Sequence, residues 1–168
     1  MKDAPRDPSA LTATEAAARL RAGTLTASAY ARALLGRVAR CEPLVQAWVH
    51  LDAAHLLRQA EAADAARAAG QGGGPLWGQP VGVKDIVDTA DLPTENGTVL
   101  HAGRQPQADA FAVRALRSAG GLLMGKTVTT ELATYAPGRT CNPHRLSHTP
   151  GGSSSGSAAA VAAGMVPQ

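Results

Sequence analysis

The chain has 168 residues, 45% hydrophobic and 17% charged, with 3% aromatics and a formal net charge of +3 at pH 7. That length suits one domain or part of a larger one, and no apolar run is long enough to span a bilayer. Two cysteines build no disulfide framework, and arginines dispersed without interleaved aromatics point away from nucleic acid.

Residues 1–10 are rich in proline and charge and read as a loose tail without the apolar stretch of a signal peptide. A reduced, cytoplasmic setting is therefore expected. Thr12 and Glu15 have capping-box spacing, so a helix should follow and stop near Gly23. Thr26 or Ser28 can cap a second helix running to about Cys41, ahead of Pro43. Leu44 to Val49 reads as a strand, and Asp52 caps a third helix that fades into Gly70–Gly74. Pro80 to Val87 is a short, largely apolar strand with Lys84 near its end. Pro93, Gly97, Gly103 and Pro106 break residues 88–106 into loop. Asp109 can cap a helix that ends at Gly120-Gly121, and Leu122-Leu123-Met124 is a buried strand. Residues 135–150 are loop again, and a last helix is expected over 157–164. Strands alternating with helices predict an α/β layer.

The run at 151–157, Gly-Gly-Ser-Ser-Ser-Gly-Ser, leads directly into a small-residue helix. Glycines let the backbone take positive φ and approach a ligand closely. Unpaired N–H groups at a helix start favour negative charge. A flexible linker would not turn at once into an apolar helical segment.

Three other patterns carry less. Gly120 to Thr127 satisfies the Walker A spacing, which needs a strand before the glycine and a helix opening at Lys126. The chain offers a helix first and a strand second, so the match reads as accidental. Cys141, His144 and His148 have zinc-ligand spacing but no fourth partner, so no metal is expected. Gly152 to Gly156 fits a nucleophile elbow, yet no strand precedes it and no Asp and His partners follow.

Lys84 is more informative. Burial at a strand end can leave a lysine neutral and able to take a proton from a hydroxyl. The alternatives are a side chain that reaches solvent or one that pairs with Asp85.

Three blocks, Gly74 to Asp85, Gly125 to Glu131 and Thr149 to Gly164, together resemble the amidase signature family, in that family's order and spacing. The resemblance covers about residues 10–168, with Ser155 standing where the family usually has glycine. It implies an α/β fold with a mixed central sheet flanked by helices. Residues 1–168 would be the N-terminal part of a single amidase domain, so the fold would be incomplete in this chain.

The implied chemistry is hydrolysis of a carboxylic amide through a Ser–Ser–Lys triad. Lys84 maps onto the lysine, and Ser153 onto the middle serine, which follows a cis peptide bond. The nucleophilic serine is implied about two dozen residues after Ser153, past Gln168. Ser154, Ser155 and Ser157 are not substitutes by motif position, so the 168 residues alone are expected to be inactive. The implied ligand is a small-molecule amide, with no cofactor, nucleic acid or membrane, and a homo-oligomer of the full-length parent remains open. The runner-up is the amidase subunit of a tRNA-dependent amidotransferase. Against it, Gly125 to Glu131 lacks the wording Asn-Met-Asp-Glu-Phe expected there. A nucleotide-binding module and an inactive truncated fragment are the remaining alternatives.

Overall fold

The computed structural model describes residues 7–167. Helix α1 (Ala13–Ala22) opens with the expected capping box: the Glu15 N–H donates to Thr12 Oγ1, and the Thr12 N–H donates to Glu15 Oε2. It ends at Gly23, whose φ of 73° suits a residue without Cβ. Ahead of it, Asp7 caps a 3-10 turn over Pro8–Ala10 with Ser9 buried. Of the tail expected to be loose, residues 1–6 lie outside the described residues.

Helix α2 (Ala27–Val45) starts from Thr26 and runs past Pro43 instead of stopping at Cys41. Proline removes one amide donor in the last turn. Burial of Val45 secures that turn, and so does the Glu42 carboxylate, which accepts the N–H groups of Ala47 and Trp48. Strand β1 (Trp48–Leu51) therefore begins four residues later than the sequence suggests. Asp52 caps α3 (Ala53–Ala68) as expected. Strand β2 (Pro80–Lys84) ends at the lysine, because the N–H groups of Ile86 and Val87 both turn back to the Lys84 carbonyl.

Helix α4 (Phe111–Ser118) is not capped by Asp109, whose carboxylate accepts from the Ala90 N–H and from Arg117 instead. Strand β3 (Leu122–Thr127) extends past the expected 122–124, and every residue in it is buried. Helix α5 (Ser155–Ala162) starts two residues early.

The sheet has order β1-β3-β2, with β3 antiparallel to β1 and parallel to β2. This is a mixed sheet flanked by helices, the fold class expected. Successive strand residues face opposite sides. Leu122 and Met124 enter the large core with α1, α2, α3 and α5, while Val83 and Leu123 enter a smaller core with Leu92 and Val113 of α4. Among the described residues no helix is long and apolar enough to cross a membrane.

Candidate active site

Lys84, the last residue of β2, pairs with Thr127 of β3. Val83 points into the small core, so Lys84 projects to the opposite face, beneath the start of α5. There its Nζ donates to Ser153 Oγ at 2.7 Å. The two residues that the sequence singles out are thus brought together across 69 positions. Lys84 neither escapes to open solvent nor pairs with Asp85.

Several contacts hold Ser153 in place. The Gly152–Ser153 peptide bond is cis, as the resemblance implies. The Ser153 carbonyl accepts the Thr130 N–H at 3.0 Å, and the Gly156 N–H donates to the Val128 carbonyl at 2.9 Å. The segment leaving β3 therefore runs beside the serine loop.

Gly156 makes the close approach possible. A Cβ there would lie 2.3 Å from both the Ala47 carbonyl oxygen and the Val128 nitrogen. Ser155 is buried, and its Oγ reaches the Val128 carbonyl at 3.4 Å, which accommodates a hydroxyl where the family usually has glycine. Ser157 Oγ and Thr127 Oγ1 share a hydrogen bond of 2.7 Å. Ser154 is exposed at the helix start and makes no capping bond.

A cleft of about 580 Å³ opens beside Ser153. Thr130, Tyr135, Pro137, Thr149 and Gly152 contribute to its wall, and none of its lining residues is charged.

Asp85 follows Lys84 and turns to the other face of the sheet. It forms a fully buried ion pair with Lys126, Nζ to Oδ1 3.5 Å. Lys126 also donates to the Pro93 carbonyl at 3.1 Å and to Thr94 Oγ1, while the Asp85 carboxylate accepts the Glu95 N–H at 3.2 Å. Burial pushes the Lys126 pKa down, and the Asp85 carboxylate opposes that shift. This position rules out the Walker reading. Gly120 to Thr127 forms a turn and a central strand, and Lys126 is sealed off from any phosphate. The sequence alone does not disclose the pair; its one signal is a lysine in an apolar strand, which has to find a partner.

Cys141, His144 and His148 do other work. Cys141 Sγ lies 3.8 Å from the Arg139 carbonyl, the His144 N–H donates to Asn142 Oδ1, and His148 Nδ1 bonds Ser147 Oγ at 3.0 Å. Among the described residues no group of three or more His, Cys, Asp or Glu side chains could hold a metal ion.

The family model described as Amidase matches residues 29–168. A glutamyl-tRNA(Gln) amidotransferase subunit from Salinispora arenicola is 42% identical over 96% of this chain and 34% of its own length. The peptide amidase of Stenotrophomonas maltophilia superposes with a TM-score of 0.85 at 37% identity, over 92% of this chain and 34% of that one. A fatty acid amide hydrolase superposes with a TM-score of 0.89 at 27% identity, over 98% of this chain and 30% of that one. The chain spans about a third of the length of these relatives.

Proposed function

We infer that this chain, which belongs to the amidase family, supplies the proton relay of an enzyme that hydrolyses a carboxylic amide. The observation that carries the reading is the 2.7 Å contact between Lys84 Nζ and Ser153 Oγ.

In the relay, the unprotonated amine of Lys84 accepts the proton of Ser153, which takes one from the nucleophilic serine. That serine, implied by the family resemblance beyond Gln168, attacks the amide carbonyl. The relay then reverses and protonates the leaving nitrogen, so the C–N bond breaks and an acyl-enzyme remains. Water enters by the same route, releases the acid and restores the serine. The uncharged cleft wall beside Ser153 supports a neutral amide as substrate.

The test is amide hydrolysis by the full gene product and its Lys84→Ala variant at matched folded concentration. Loss of a relay base lowers kcat by at least about a thousandfold. Unchanged turnover removes Lys84 from the mechanism.

A second reading is the amidase component of a tRNA-dependent amidotransferase. It is favoured by curated relatives at 42–43% identity that carry that name. Val128-Thr129-Thr130-Glu131 speaks for the first reading, since it departs from the wording expected of that component. Hydrolysis of simple amides without partner proteins separates the two.

A further inference from the structure

The relay face of the sheet is only half of what fixes Lys84. On the other face, Asp85 and Lys126 are both 0% exposed, and nothing in the proposed reaction uses them. Their hydrogen bonds tie two pieces of the chain to the end of β2. Asp85 donates its N–H to the Thr127 carbonyl at 2.9 Å, and its carbonyl accepts the Asn96 N–H at 3.0 Å. Its carboxylate accepts the Glu95 N–H, and Lys126 reaches over to Pro93 and Thr94. The peptide unit that aims Lys84 is therefore clamped to β3 and to the loop at 93–96.

We propose that the buried Asp85–Lys126 pair is the positioning device for the Lys84 amine, holding it on Ser153 and balancing the carboxylate beside it. The inference rests on the relay reading above. Asp85 and Lys126 act through Lys84 and touch no substrate.

The charges near the pair are few. Asp88 is paired with Arg104, and Glu95 with His50. The segment 149–162, which covers Lys84 from above, contains no charged residue. Removing Lys126 would leave the buried Asp85 without its ion-pair partner and would free the end of β2 from Pro93 and Thr94.

The experiment compares the wild-type gene product with Lys126→Met, Asp85→Asn and the double variant, using amide hydrolysis and circular dichroism. In Lys126→Met, kcat falls about 100-fold at little-changed KM, as expected for a misaimed group. Asp85→Asn keeps an oxygen acceptor for the Glu95 N–H but loses the ion pair, so its kcat falls in the same direction at little-changed KM. A merely structural pair would lower the folded fraction and leave kcat per folded enzyme where it was. A folded Lys126→Met variant with wild-type kcat overturns the proposal. Should that variant fail to fold, the double variant carries the test, because it leaves no lone buried charge. Lowered kcat at unchanged KM supports the proposal there, and wild-type kcat overturns it. The relay reading fails differently: Lys84→Ala then keeps its turnover, and this proposal falls with it.

Discussion

Glu95 shows how much one carboxylate organises behind the relay. Its N–H donates to Asp85, its Oε1 accepts the Gly103 N–H at 2.7 Å, and its Oε2 bonds His50 Nε2 at 3.1 Å. The hydrogen bond from Gly103 lowers its pKa most, burial works the other way, and the His50 bond lowers it further. A carboxylate depressed in the folded state gives stability that is complete above its unfolded pKa. That stability is lost as pH falls through the folded value. Thermal midpoints of the wild type should therefore fall between about pH 5 and pH 3. Glu95→Gln keeps an acceptor for Gly103 but cannot titrate, so its midpoints should fall less steeply over that range. Equal slopes in parallel melts would show that Glu95 does not contribute to acid sensitivity.

Between elements, Asp64 of α3 ties down the start of α2. Its two carboxylate oxygens accept the N–H groups of Ala27 and Ser28 at 2.7 and 3.0 Å. These are amides that a helix start leaves unpaired. Asp64→Ala should cost about 1–2 kcal/mol, read as a lower urea midpoint with an unchanged slope; an unmoved midpoint would rule the cap out. This contact also marks the limit of what was legible in the sequence. Signals that act within one turn were readable: Thr12 with Glu15, Thr26 and Asp52 all cap where expected. Signals settled by distant partners were not. Asp109 looked like a cap but was taken by Arg117 and Ala90, and α2 passed Pro43 because Glu42 secured its exit. At the site, the positions of Lys84 and Ser153 were readable from the motif blocks. The Asp85–Lys126 pair was not, because it depends on strand register that no local pattern encodes.

At the scale of the whole molecule, the described residues leave large apolar side chains uncovered. Val99 is 87% exposed, Phe111 79% and Tyr135 99%. Residues 1–168 expressed as a separate polypeptide should show no amide hydrolysis, while a gene product that includes the implied nucleophile should. Turnover by the 168 residues alone would point to Ser154, Ser155 or Ser157 as the nucleophile. The strand order has a consequence for how the site comes into being. Among the described residues β1 and β2 do not pair with each other; each bonds to β3, the last of the three in sequence. As the polypeptide leaves the ribosome, both strands emerge before residues 122–127, the segment that joins them. Ser153 emerges later still. The 69-residue link to Lys84 closes a long loop, and contacts of such sequence separation form slowly. The order of synthesis thus makes the relay contact a late event, available only once the central strand has arrived.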